Sequence, residues 1–181
     1  MVNLYSDNLI LRPFEINDAK RVRELAGDYE IAKTTLHIPY PYPEDAAEAW
    51  IKRTHEAAAR GSLYAFAVVR KVDSELLGAI SLGIVPEYKR AELAYWMGKP
   101  YWGHGYTTEA ASKLLKFGFE ELDLNRIYAY AFSTNPASSM VMQKIGMAYE
   151  GTLVQHVRKW DEYYDLVAYG IVRQTYQERQ S

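Results

Sequence analysis

Hydrophobic and polar positions along this chain fall into short blocks whose period changes several times. Residues 9–14 are an apolar strand that Pro13 places near a sheet edge or a strand end. Asn17 and Asp18 then offer a cap to a helix with Val22, Leu25 and Ala26 on one face, stopped by Gly27 and Asp28. Over 34–43, Pro39, Pro41 and Pro43 alternate with other residues, which excludes regular helix and favours an extended aromatic wall. That wall is either a packed surface loop or one side of a substrate entrance. An alanine-rich stretch over 44–60, carrying Trp50 and Ile51, reads as a second helix ended by Gly61.

The texture then becomes strand-like. Residues 63–70 and 76–85 flank a polar turn and predict a hairpin, and 91–98 adds a third strand to an antiparallel meander. Ala110, Ala111, Leu114, Leu115, Gly118 and Leu122 recur at helical steps, so an amphipathic helix is expected over 110–122. Residues 126–132 alternate as a strand, and a helix-linked strand of this kind lies parallel to its predecessor through a right-handed crossover. Asn135 caps a further short helix with Pro136 in its first turn and Gly146 at its end. Two more strands are expected at 147–157 and 164–173. No repeat, low-complexity run or linker appears, so 1–181 is read as one domain of mixed α+β class.

Composition narrows the functions. With 49% hydrophobic and 24% charged residues, the chain has material for a sizeable core, and its net charge of −2 argues against a dedicated nucleic-acid binder. There are no cysteines, which removes disulfides, thiolate metal sites and a cysteine nucleophile. No signal peptide is read in the first residues, no window is apolar enough to span a bilayer, and a cytoplasmic protein is expected. Sixteen tyrosines suit sheet propensity and core packing.

The chemistry concentrates at Trp102-Gly103-His104-Gly105-Tyr106-Thr107-Thr108-Glu109, between the third meander strand and the amphipathic helix. Glycines let the backbone approach an anion, and a helix start presents free N–H groups to it. Thr108 stands where a dinucleotide fingerprint needs its third glycine, and no lysine follows at the place a Walker-type loop requires. His104 sits within the turn, either facing solvent or reaching a phosphate. The four histidines show no metal-ligand spacing with each other or with carboxylates, so no metal is expected. There is no Gly-x-Ser-x-Gly elbow either.

Taken together, the residues resemble a family. The run from Ala91 to Met97, Tyr101-Trp102-Gly103-x-Gly105-Tyr106-x-Thr108-Glu109-Ala110, Asn135-x-x-Ser138 and Lys144-x-Gly146-Met147 look like the GNAT acetyltransferases, and within them the RimJ/RimL-type ribosomal-protein N-terminal acetyltransferases. The opening strand at 9–14 and the segment 161–170 match that group too, so the resemblance covers nearly the whole chain. Two positions depart from the wider superfamily pattern: Trp102 replaces an arginine or glutamine, and Thr107 a glycine or alanine.

The resemblance implies the GNAT fold: a mostly antiparallel central sheet splayed at two parallel strands, about 92–98 and 126–132, with helices on both faces. It implies acetyl-CoA as cosubstrate, no metal, and a cofactor site of Tyr95, Trp96, Met97, Trp102, Gly103, His104, Gly105, Tyr106, Thr107, Asn135 and Ser138. An amide near Trp96 or Met97 is the expected oxyanion donor. Ser138 is the expected proton donor to the leaving thiolate, with Glu92 as candidate base. Asn135 and Ser138 equally suit a helix cap and a first-turn residue, and Glu92 an ordinary strand-end carboxylate. The acceptor is expected to be a protein N-terminus, whose α-amine near pKa 7.7–8.0 needs far less help than a lysine near 10.4. A small amine is the alternative, and a coenzyme A-binding module without catalysis the third reading. A homodimer or higher homo-oligomer is compatible with the tyrosine-rich tail; no membrane or nucleic-acid partner is expected.

Overall fold

The computed structural model describes residues 2–180; Met1 and Ser181, the ends of the expected 1–181 unit, lie outside the described residues. Among the described residues, eight strands form one sheet whose spatial order follows the chain except that the last two strands are exchanged. Strands β1 (Leu4–Tyr5), β2 (Leu9–Pro13), β3 (Leu63–Arg70), β4 (Leu76–Val85) and β5 (Arg90–Met97) run antiparallel in chain order. Pro13 ends β2 as expected, but the outer edge belongs to the two-residue β1, too short to carry a readable alternation.

Helices α1 (Ala19–Ala26), α2 (Tyr29–Thr34) and α3 (Ala46–Ala59) lie between β2 and β3. The first buries Val22, Leu25 and Ala26, the face its spacing predicts. Asp18 stands at its cap position, yet its carboxylate accepts from Arg12 Nη1 at 2.7 Å and from the Glu15 N–H at 2.7 Å instead. Helix α2 was not expected. It is six residues long, and its start is set by the Asp28 side chain, which accepts from the Glu30 N–H at 2.8 Å.

Strands β3 and β4 are buried on both faces, which is why they read as near-continuous apolar runs. Phe66 meets Phe117 of α4 (Tyr106–Glu120) edge-on, with centroids 5.9 Å apart, on one face. Helices α1 and α3 pack against β4 and β3. At Gly118 of α4 a Cβ would stand 2.7 Å from Ile127 Cδ1, so this glycine lets the helix sit close on the sheet. Helix α4 begins four residues earlier than the apolar spacing predicts and ends two earlier. Tyr106, Thr107, Thr108 and Glu109 form its first turn, and the core-facing periodicity starts only at Ala110.

Strand β6 (Arg126–Phe132) lies parallel to β5, but only Arg90↔Arg126, Ala91↔Ile127 and Glu92↔Tyr128 are paired. Beyond Glu92 the strands separate, as the resemblance implies. Strand β6 instead pairs along its full length with β8 (Glu162–Val172). Helix α5 (Pro136–Lys144) and the long edge strand β7 (Ala148–Lys159) complete this half, with α6 (Arg173–Glu178) after it. Strands β7 and β8 join through Trp160 and Asp161, both at positive φ (50° and 65°), the backbone of a tight two-residue hairpin.

Candidate active site

The separation of β5 from β6 opens a cleft of about 1000 Å3. Strand β5 supplies one wall with a polarity that its register decides. The Gly98 N–H donates to the Leu77 carbonyl at 2.8 Å, and the β4–β5 ladder holds that register through Trp96↔Ala79. In an antiparallel ladder the hydrogen-bonded positions alternate. The peptide groups of Trp96 and Ala94 therefore face β4, while those of Leu93, Tyr95 and Met97 face the open side. Of the two expected oxyanion donors, Met97 is the one whose N–H points toward the cleft; the Trp96 N–H belongs to the sheet.

At the end of β5 the glycine turn closes the cleft. Gly103 and Gly105 adopt φ of 76° and 81°, a region costly for a side chain, and nothing lies within 4 Å of where their Cβ atoms would be. The Trp102 indole N–H donates to the Met97 carbonyl at 2.6 Å, so this tryptophan clips the turn to the strand end. Helix α4 starts at Gly105 with no side-chain cap; its first intrahelical bond runs from the Glu109 N–H to the Gly105 carbonyl at 3.0 Å. The N–H groups of 105–108 thus have no intrahelical acceptor and stand at the positive end of the helix dipole. Glu109 does not cap the helix. Its carboxylate accepts from Ser6 Oγ at 2.7 Å and the Asn8 N–H at 2.7 Å, tying the first turn to the β1–β2 connection.

Across the cleft, Asn135 is both cap and wall. Its side-chain oxygen accepts from the Ser138 N–H at 3.3 Å while the residue lines the cavity. Ser138 is more than a first-turn residue: its Oγ lies 2.8 Å from Tyr95 Oη, and Tyr95 Oη donates to the Ser138 carbonyl at 3.2 Å. Burial pushes the Tyr95 phenol up to about 12, and its hydrogen bond with Ser138 offsets only part of this. Glu92 stands at the last position of β5 that is paired with β6. Its side chain keeps an open face to solvent, yet desolvation at the crowded cleft mouth raises its carboxyl above the usual range, and His37 pulls it partly back.

Of the predicted site residues, Glu92, Tyr95, Trp96, Met97, Trp102, Gly103, Gly105, Tyr106, Thr107, Asn135 and Ser138 all line this one cleft. His104 does not: it points out of the turn and stacks on Tyr106 with centroids 5.7 Å apart. Leu36, His37 and Ile38 of the 34–43 segment line the cleft, so the segment is one of its walls. Tyr130, Lys144 and His156 also line the cleft; sequence reasoning assigned none of them to the site, although Lys144 stands in a segment that carries the resemblance. Alternation placed Tyr130 on a strand, but only the splay turns that position into a wall. Among the described residues, no group of His, Asp and Glu could hold a metal ion, and no helix is long and apolar enough to cross a membrane.

Comparison with known proteins agrees with this geometry. Residues 8–148 match the model of the acetyltransferase (GNAT) domain. The chain is 27% identical over 177 residues to the uncharacterized N-acetyltransferase p20 of Bacillus licheniformis, covering 97% of this chain and 99% of that protein. It is 26% identical over 145 residues to the spermidine N(1)-acetyltransferase of Escherichia coli K12, covering 80% and 75%. Among solved structures, RimL, a ribosomal L7/L12 α-N-protein acetyltransferase in complex with coenzyme A, superposes with a TM-score of 0.88 over 96% of this chain and 99% of that one; at 18% identity it bears on the fold alone.

Proposed function

The chain belongs to the GNAT acetyltransferase family, and from that premise we propose that it moves an acetyl group from acetyl-CoA directly to the N-terminal α-amine of a protein. One observation carries the reading: an open strand edge, an uncapped helix start and the Tyr95–Ser138 pair face one another across a single cleft. When bound, acetyl-CoA supplies the activated acetyl group and a thiol leaving group. The free N–H groups at the start of α4 suit its pyrophosphate, and the open edge of β5 suits its amide-bearing arm as an added strand. The whole chain, 1–181, is read as one catalytic unit, because β7 and β8, which extend beyond the matched segment, belong to the same sheet.

The residues divide the work by position. Glu92, at the mouth, accepts the proton of the acceptor amine, directly or through water; a raised carboxyl suits a base that must exchange protons near neutral pH. Met97 N–H faces the place where negative charge develops on the acetyl oxygen, and a donor of this kind is typically worth about 3–4 kcal/mol. Ser138 gives its proton to the departing sulfur and in the same motion takes one from the Tyr95 phenol beside it, which solvent in the open cleft then replenishes. Without cysteine, an acetyl-cysteine intermediate is ruled out, and transfer proceeds in a ternary complex.

The acceptor side favours a peptide over a polyamine. Among the described residues lining the cleft, Glu92 is the sole carboxylate, whereas Arg53 and Lys144 bring positive charge. A molecule with several ammonium groups needs several anionic partners. The small-amine reading draws on the spermidine relative, and one screen separates the two. Acetyl-CoA turnover is measured against peptides with free N-termini beside spermidine, aminoglycosides and amino acids. Preferred turnover of peptides supports the proposal; turnover confined to small amines overturns it.

A further inference from the structure

Lys159, the last residue of β7, points its ammonium into the protein rather than into water; the residue is only 8% exposed. All four hydrogen-bond acceptors recorded for it are main-chain carbonyls: Ala32 at 2.6 Å, Ile38 at 2.9 Å, Leu36 at 3.4 Å, and Thr35. The Trp160 ring lies 4.7 Å from the ammonium, against the same charge. Ala32 belongs to the last turns of α2, where the helix dipole favours a cation. Desolvation pulls the Lys159 ammonium below its usual value. A buried lysine without a carboxylate partner is costly, and what it acquires here is order in one segment.

That segment is the cleft wall. Leu36, His37 and Ile38 line one side of the cavity, and His156 and Val157, on the same strand as Lys159, line it from the hairpin. Lys159 joins these two pieces across more than 120 residues of chain. Among the described residues, the hydrogen bonds of both pieces run to α2, to each other and within the hairpin, and none reaches the glycine turn or the start of α4. We infer that Lys159 is a positioning residue that fixes the shape of the acceptor entrance by holding the 35–38 backbone against the β7–β8 hairpin. The inference rests on the reading above that this side of the cleft receives the acceptor.

The test compares wild type, K159M and K159R. Hydrogen exchange is followed on peptides covering 34–40, coenzyme A binding by calorimetry, and steady-state turnover with acetyl-CoA and a mixture of C-terminally amidated tripeptides bearing free α-amines. K159M is expected to speed exchange at 35–38 at least tenfold and to raise the tripeptide KM at least tenfold. Coenzyme A affinity and the acetyl-CoA KM should stay within about twofold, and K159R should recover part of both losses. Unchanged exchange and KM, or an equal loss of coenzyme A affinity, overturns the inference. K159Q, which keeps two donors without the charge, replaces K159M where that variant does not fold. If wild type does not acetylate the tripeptides, the N-terminal reading fails, while the exchange data still decide whether Lys159 holds the wall.

Discussion

Tyr95 Oη and Ser138 Oγ stand 2.8 Å apart, joining β5 to α5 across the cleft that separates the strands leading into them. The contact pairs a buried phenol, which stays protonated up to about 12, with a hydroxyl too weakly acidic to protonate a thiolate unless it is well placed. Ser138→Ala is expected to lower kcat by about 10²–10³-fold, within the range for a positioned proton donor, and to leave coenzyme A affinity within about threefold. Tyr95→Phe removes one hydrogen bond, worth about 0.5–1.5 kcal/mol, and should lower kcat less than Ser138→Ala. Single-turnover kinetics beside calorimetry checks both; an unaltered rate in Ser138→Ala would leave that serine as a helix-turn residue only.

Glu92 makes the pH profile informative. Desolvation raises its carboxyl and His37 lowers it, so the acidic limb of kcat/KM should lie above the ordinary glutamate range. Removing His37 lifts that restraint, so His37→Ala should move the limb to higher pH. Glu92→Gln should abolish the limb and cost about 10²-fold or more in kcat/KM at neutral pH. A profile that both substitutions leave in place would assign the base to another group.

Gly105 reports on the anion site. Its φ of 81° makes any side chain strained, by about 1–2 kcal/mol, but the space beside it is open. Gly105→Ala should therefore lose modest stability and keep coenzyme A binding, whereas Gly105→Glu sets a carboxylate at the free N–H groups of α4. Calorimetry is expected to show at least a tenfold weaker affinity for Gly105→Glu relative to Gly105→Ala; equal affinities would take this turn out of the site.

Ligand binding should also be visible as stability. At acetyl-CoA concentrations about 100 times Kd, stabilisation of about 2.7 kcal/mol should raise Tm by about 5–10 °C in a chain of this size. Thermal unfolding at graded acetyl-CoA concentrations measures it, and a Tm that stays constant up to millimolar acetyl-CoA would contradict the assignment of the cleft.

Glu109 carries a pH-dependent tie between α4 and the β1–β2 connection. Burial, the largest single influence, raises its carboxyl, but the donors of Asn8 and Ser6 together outweigh it and hold the group below its usual value. The stability this contributes is present above the unfolded-state value near 4.3 and is lost as pH falls through the lower folded-state value. Glu109→Gln should cost about 1–2 kcal/mol at pH 7, and its gap from wild type should narrow below about pH 4. Urea unfolding at both pH values tests this.

What the sequence determined by itself was whatever a local period or a local turn encodes. Strand β6 falls where its alternation predicts, and the face of α1, the meander and the tail hairpin follow from spacing and turn residues. The glycine turn before α4 was legible because glycine, strand and helix stand next to one another in the chain. Tertiary structure decided the rest, through contacts between residues far apart in sequence. Helix α2 and β1 are too short to show a period. The start of α4 moved to Tyr106 because its first turn faces the cleft rather than the core. The ladder register turned Met97, not Trp96, toward the cleft, and His104 was turned away from it. Lys159 falls in the expected connection between the last two strands, where a lysine is ordinarily solvated; only the folding of α2 and the following loop beneath the hairpin surrounds its ammonium with carbonyls. Periodicity reports which face of an element is buried, but which groups meet across a cleft is set by the register of a sheet that brings distant segments together.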